Sequence, residues 1–284
     1  MRIVDKGIVW QYFTVFCDDG TKMAGAFSAT DNDCDVWLSV YGKEVIGLQR
    51  YYSSDFFTCA SEGNFKIDGN YFVRDKGNVR LRIKQPDLEL VVNAKSVVDW
   101  KDNMIRRKAG NIDATWVVHG LRMEAEGTLS VGDRKKPFKG LMFHDSVRHN
   151  IKPSLDLLLN YDHWLWGIAY TKSYSVLFVD VDYKKNPLRF MCVNDSKVTE
   201  SSNDPANQED FEFLSSGKMP VRHFGITYGD RYMEFSELRP FKVVHGRGLS
   251  RLFAKVAEKK HHYVGKFSYR GEVGEAYLES HKLF

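Results

Sequence analysis

Between positions 140 and 183 the chain reads GLMFHDSVRHNIKPSLDLLLNYDHWLWGIAYTKSYSVLFVDVDY. His144, Asp145, His149, Asp162 and His163 are interleaved there with Tyr161, Trp164, Trp166, Tyr170 and Tyr174. Imidazoles and carboxyls move protons, and burial in an apolar pocket tunes them toward neutral pH by penalising the charged form. A solvated surface does not need so many aromatics, and a plain core does not need so many ionisable groups. The mixture fits a wall between an apolar cavity and its polar groups. Its chemistry would be proton transfer or hydrogen bonding to a carbonyl or alkene.

Spacing limits which groups can act together. Successive side chains of a strand leave it on opposite faces. If 141–145 is extended, His144 and Asp145 diverge, and only one looks into a cavity unless a bulge turns both inward. The plainer alternative is that either group pairs with a neighbouring strand or with Arg148. In 161–168, Asp162, Trp164, Trp166 and Ile168 share one face, and Tyr161, His163 and Leu165 share the other. A carboxyl beside two indoles would stabilise positive charge in a substrate, with the ring faces assisting. Alternatively the tryptophans anchor a core and Asp162 stands at the strand's start. The candidate catalytic residues are therefore His144, Asp145 and Asp162. The candidate ligand contacts are Phe143, His149, Tyr161, His163, Trp164, Trp166 and Tyr174.

No metal or cofactor is expected. His144, Asp145 and His149 nominally form a two-histidine, one-carboxylate set, but strand geometry separates the first two. His261-His262 follow the solvated run Glu258-Lys259-Lys260. The chain has no Gly-rich phosphate loop, no G-x-S-x-G elbow and no dinucleotide fingerprint.

The elements that must position these residues read as strands. Residues 10–16 (WQYFTVF) are aromatic and β-branched and end at the turn Asp18-Asp19-Gly20. Further short strands are expected at 22–28, 36–41, 65–67, 71–74, 79–83 and 88–94. Asp31-Asn32-Asp33, Asp68-Gly69-Asn70 and Asp75-Lys76-Gly77-Asn78 serve as turns between them. The second half continues with 174–183, 188–193, 223–228, 232–238 and 264–269. Strands do not alternate with helices, so the chain is expected to be all-β, an antiparallel barrel or sandwich with few helices. The best helix is 249–260, where Leu249, Leu252, Phe253 and Val256 form one stripe. Residues 202–211 read as a loop. A chain of 284 residues accommodates two domains. Lys152-Pro153-Ser154 is the expected linker, dividing it into 1–150 and 151–284.

Composition excludes several classes. A net charge of +4 does not mark a nucleic-acid binder, and the basic run 247–262 fits a solvated helical face. No stretch approaches the about 18 apolar residues of a membrane-spanning helix, and the start lacks a secretory pattern. Cys17, Cys34, Cys59 and Cys192 form no CxxC pair and read as reduced, packed thiols, so the protein is expected to be cytoplasmic. The sequence carries no signature of oligomeric state.

Several of these residues also carry a family resemblance. Gly140, Phe143, His144 and Asp145 are similar to a strand reading roughly G-x-G-Y-H-D-H-N-W-G. Trp164, Trp166, Gly167, Ala169, Tyr174, Ser175, Val176, Phe178 and Asp180 are similar to W-Y-W-G-x-A-x-x-G-x-Y-S-x-V-W-F-D. Trp10, Tyr12 and Asp18-Asp19-Gly20 echo an N-terminal strand and turn, and Gly271 to Glu279 a closing strand. With these motifs the chain resembles the carotenoid 1,2-hydratase (hydroxyneurosporene synthase) superfamily, which includes lipocalin-like Diels–Alderases. It departs from the first motif at Ser146-Val147-Arg148-His149, where H-N-W-G is usual.

The resemblance implies two lipocalin-like β-domains side by side, with a ligand cavity in or between them. It also implies a cofactor-independent enzyme that cyclises or isomerises an apolar, unsaturated small molecule of terpenoid or polyketide type, as in natural-product biosynthesis. One alternative is hydration of an isoprenoid or carotenoid double bond, with an inward, protonated Asp145 or Asp162. Another is a carrier of a lipophilic ligand without chemistry.

Overall fold

The computed structural model describes residues 8–30, 33–43, 45–61, 64–97, 103–109, 112–150, 161–183, 186–195, 211–214, 223–228, 231–241 and 260–282. The expected helix at 249–260 and loop at 202–211 lie outside these residues, save Lys260 and Phe211, which open strands. The expected linker at 152–154 also lies outside them. The described chain is all-β. Its one helical element is a 3₁₀ turn at Ser54–Phe56, and among the described residues no helix is long and apolar enough to cross a membrane.

The strands fall into two compact units, each with its own sheet. The first holds β1 (Ile8–Cys17), β2 (Lys22–Ala29), β3 (Asp33–Tyr41), β4 (Val45–Ser53), β5 (Phe57–Ser61) and β6 (Asn64–Ile67). It continues with β7 (Asn70–Asp75), β8 (Asn78–Gln85), β9 (Leu88–Ser96), β10 (Asn103–Ala109), β11 (Ile112–Val131) and β12 (Arg134–His149). The sheet order is β4-β3-β2-β1-β12-β11-β9-β8-β7-β6-β5, with β10 paired to β11, and every pairing is antiparallel. Local chemistry sets the hairpins. Asp68-Gly69 and Lys76-Gly77 have φ of 44° and 80°, and 44° and 79°. Two consecutive positive φ values match the twist of the flanking strands, and glycine supplies the second without a Cβ penalty.

This sheet curls into a nearly closed barrel. Phe27 of β2 meets Phe72 of β7 with ring centroids 5.8 Å apart, although many strands separate them in sheet order. The interior is an apolar core of Phe13, Val15, Phe27, Leu38, Phe72, Leu81 and Met142, among others. A buried polar network ties β4 to β7 and β8: the Tyr52 hydroxyl accepts from Asn70 Nδ2 at 3.1 Å and from Gln85 Nε2 at 2.8 Å. Arg50 Nη1 donates to Gln85 Oε1 at 3.0 Å.

The second unit holds β13 (Tyr161–Tyr170), β14 (Tyr174–Tyr183), β15 (Asn186–Asp195) and β16 (Phe211–Leu214). It is completed by β17 (Phe224–Tyr228), β18 (Arg231–Phe241), β19 (Lys260–Tyr269) and β20 (Glu272–Lys282). Their order is β15-β14-β13-β20-β19-β18-β17-β16. One face carries a core of Phe178, Phe224, Phe235 and Phe267, with Phe224 and Phe235 stacked at 4.7 Å.

The Tyr52 network predicts a stability change. Tyr52→Phe removes the acceptor of the buried Gln85 amide, while Asn70 Nδ2 keeps the Ile67 carbonyl, so unfolding in denaturant should show a loss of about 1–3 kcal/mol with an unchanged slope. An unchanged midpoint would mean that the network does not hold β4 in place.

Candidate functional site

The register of β1 against β12 decides which way each candidate points. Gln11 pairs with Ser146, Tyr12 with Asp145, Phe13 with His144 and Val15 with Met142, without a shift along the whole pairing. Phe13, Val15 and Met142 belong to the barrel core. His144 and Ser146 therefore face the barrel interior, while Phe143, Asp145, Val147 and His149 leave on the opposite face. Exposure is graded along the inner face: Arg148 is exposed, Ser146 half-buried, and His144 and Met142 are 0% exposed. On the other face Phe143, Asp145, Val147 and His149 are all buried.

The inner face gathers a polar cluster. His144 Nε2 lies 2.8 Å from Gln11 Oε1. A carboxamide oxygen only accepts, so Nε2 carries the proton and Nδ1 the lone pair. Nδ1 is buried and has no hydrogen-bond partner among the described residues. Phe72 packs against the ring at a centroid distance of 4.5 Å. His119 stacks on it at 4.8 Å and 26°. Burial, then the neighbouring His119 and Arg74, push the pKa of His144 well below its ordinary 6.5, so the ring is neutral.

His119 reaches this position through an irregularity in β11. Val118 pairs with Asp145 but Gly120 pairs with His144, so β11 carries one extra residue at His119, and a second shift follows before Met123. At Gly120, opposite His144, a Cβ would lie 2.6 Å from Met123 Sδ, so a side chain there would require Met123 to shift. Arg74 Nη1 lies 2.5 Å from His119 Nδ1, and Ser146 Oγ lies 2.7 Å from His119 Nε2. A guanidinium only donates, so Nδ1 of His119 accepts and Nε2–H donates to Ser146. This rules out a serine hydrolase reading of the pair in this arrangement, since the nitrogen facing the hydroxyl is not a base. Arg74, His119 and Ser146 are half-buried, so the chain of contacts runs from the solvent side to the buried His144.

The opposite face holds the other candidates of this strand. Asp145 Oδ2 accepts from Trp116 Nε1 at 2.7 Å. Tyr12 meets Trp37 at 5.7 Å, and His149 meets Trp10 at 5.1 Å. Burial lowers the His149 pKa to about 4. The nominal metal set is thus split between two faces, and among the described residues no group of three histidines, cysteines or acids could hold a metal ion.

In the second unit a register shift falls between Tyr161 and His163, at Asp162; the side chains of these three lie outside the described residues. Trp164 is half-buried, and Trp166 is buried against Tyr277 at 5.8 Å. Leu165 and Ala169 join the core on the other face. Tyr174 belongs to that core side, edge-on to Tyr269 at 4.9 Å, so it does not share a face with Trp166. A cross-strand row, Phe241–His262–Glu279–Trp166, runs over the Trp166 face, and His262 hydrogen-bonds to the Tyr277 hydroxyl.

The first unit also has a groove of about 920 Å³, lined by Asp75, Arg80, Lys95, Glu124, Glu126 and Lys139 among others. Its lining mixes these charges with Val73, Val79 and Leu141, and it contains none of the cluster residues.

The sequence analysis singled out His144 but not Gln11, Arg74, His119 or Ser146. One signal was present: a glycine inside a strand-like run, His119-Gly120 in WVVHGLRM, marks a bulge or a close backbone approach. The others come from strands remote in sequence.

No family model matches the chain, and no curated protein matches it. Solved structures share its fold. A protein of Nitrosomonas europaea assigned as an AttH superposes with a TM-score of 0.67 at 14% identity, over 97% of this chain and 92% of its own. CghA, solved with Sch210972, gives 0.65 at 9% identity, over 98% and 89%. Kievitone hydratase of Nectria haematococca gives 0.62 at 12% identity, over 98% and 89%. The chain has the lipocalin-like fold of these proteins.

Burial of His149 makes stability depend on pH. The unfolded chain takes up this proton near pH 6.5, the folded protein only near 4. The contribution is whole above 6.5 and is lost as pH falls toward 4, by roughly 3 kcal/mol. Asp19, hydrogen-bonded by Lys136, and Glu272, hydrogen-bonded by Thr171 and Ser173, are held near 2, so what they contribute is whole above their ordinary 3.8 and 4.5 and is lost only below those values. His149→Phe should therefore make the stability profile less steep between pH 6.5 and 4.5, with the buried His144 supplying the slope that remains, measured by denaturant unfolding. An unaltered slope would place the titration elsewhere.

Proposed function

We propose that the protein is a cofactor-independent enzyme that takes an apolar, unsaturated small molecule into the interior of its first unit and cyclises or isomerises it. The observation that carries this reading is His144, a neutral imidazole buried against Phe72 whose Nδ1 lone pair has no hydrogen-bond partner among the described residues. Gln11 sets its tautomer, and His119, Arg74 and Ser146 link it toward solvent. Burying polar groups in a barrel costs free energy that the fold alone does not require. Such a site would act by holding the substrate in a reactive conformer and by hydrogen-bonding to charge that develops on it. Fold likeness to kievitone hydratase and to CghA, solved with Sch210972, accords with small-molecule chemistry but does not fix the reaction.

Hydration is the second reading. It is favoured by Asp145, a buried carboxyl in a wall of Trp116, Tyr12 and Trp37. It ranks second because protonating an alkene needs a carboxyl O–H aimed at it, and Trp116 already engages one Asp145 oxygen. A cytoplasmic location belongs to the same proposal. It is supported by Cys17, Cys34, Cys59 and Cys192, none of which is in a disulfide among the described residues; burial raises Cys17 and Cys192 to about 12 and Cys34 to about 11.

Incubation with candidate polyenes in isotope-labelled water, read by mass spectrometry, tests the reading. Cyclisation or isomerisation leaves the product mass unchanged, hydration adds labelled water, and a carrier returns its ligand intact. His144→Gln should lower turnover by roughly a hundredfold or more, with substrate binding kept within about threefold. Turnover equal to the parent protein would remove His144 from the site.

A further inference from the structure

The polar inventory of the barrel interior narrows the substrate. The described members of the cluster are Gln11, Arg74, His119, His144 and Ser146. They comprise one permanent cation, two imidazoles, a carboxamide and a hydroxyl. The nearest carboxyl along β12, Asp145, is on the other face of the sheet, bound to Trp116. A guanidinium beside the reacting atoms opposes a carbocation and favours an oxygen that becomes negative. The Nδ1 lone pair, in turn, is a base held where water does not level it.

We infer, building on the reading above, that the interior site takes an unsaturated ketone or related enolisable carbonyl compound, with His144 Nδ1 as the base and the Arg74 guanidinium, oriented by His119, as the holder of the carbonyl oxygen. In the first step a C–H bond on the carbon between the carbonyl and the C=C breaks. Its proton goes to Nδ1, and its electron pair forms a new C=C while the C=O electrons move onto oxygen. In the second step the imidazolium returns the proton to the far carbon of the dienolate, and the carbonyl re-forms with the double bond moved. No oxidant, reductant or co-reactant enters. His144 is suited to both halves because its Nε2–H stays on Gln11 throughout, leaving one nitrogen for the shuttle. Arg74 and His119 are half-buried, which places the polar head of the ligand toward the solvent side.

The test uses the full chain in heavy water with nonenone, a linear unsaturated ketone, and with nonene, which has the same tail and no carbonyl. Deuterium uptake is read by mass spectrometry and binding by quenching of tryptophan fluorescence. The expected result is enzyme-dependent uptake by nonenone and none by nonene. His144→Gln should reduce uptake by roughly a hundredfold or more with nonenone binding within about threefold of the parent, and Arg74→Gln should reduce it by about tenfold or more at saturating nonenone. If His144→Gln does not fold, Arg74→Gln, at a half-buried side chain, carries the test. Nonenone that binds without exchange above the buffer rate, or exchange undiminished in the folded variants, overturns the enolisation step while leaving an interior site for shape-driven chemistry. If neither probe binds, the interior site itself is overturned and this inference with it.

Discussion

A strand must send its side chains alternately to its two faces, and the interior of this protein depends on where that rule holds and where it is broken. In β12 it holds from Gly140 to His149, so His144 enters the barrel and Asp145 cannot follow. In β11 it breaks at His119, where an extra residue lets a second imidazole lie over the first. The extra residue sets Gly120, not His119, opposite His144, and His119 stacks over the His144 ring. The inner face thus carries a stack that reaches through Arg74 and Ser146 toward solvent.

The same rule explains the order in the remaining polar groups. Strands buried on both faces have no solvated side on which to leave an ionisable residue, so each such residue needs a partner. Asp145 has Trp116 on one face of the first sheet, and His144 has Gln11 on the other. In the second unit His262, Tyr277 and Glu279 form their own buried cluster on the face opposite the phenylalanine core. Hydrogen-bond valence then settles what each ring can do. A carboxamide oxygen fixes one tautomer of His144, and a guanidinium fixes the tautomer of His119. The result is one buried base, not a hydrolase-type dyad.

Much of the fold was legible because it is written locally. Asp68-Gly69 and Lys76-Gly77 announce their turns, and β1 and β14 are apolar and β-branched enough to read as strands. The divergence of His144 and Asp145 followed from alternation alone. The longest strand, β11, escaped the reading because its bulges at His119 to Met123 interrupt the period on which that reading depends. The partners of His144 escaped it for a different reason. Gln11 lies 133 positions away, and Arg74 lies 45 positions from His119, so only the closed sheet brings them together. Ser146 was visible only as a departure from the resembled motif, and it is the residue that His119 contacts.

The central claim is that His144 is a buried, neutral imidazole with its proton on Nε2 and its lone pair on Nδ1. Nitrogen-15 NMR of histidine-labelled protein reads this directly, with His144→Gln identifying the resonance. The account predicts the Nε2–H tautomer for His144, unchanged as pH is lowered from 7 through 6, where an exposed histidine is already taking up its proton. A His144 ring that is protonated in this range, or that carries its proton on Nδ1, would contradict it.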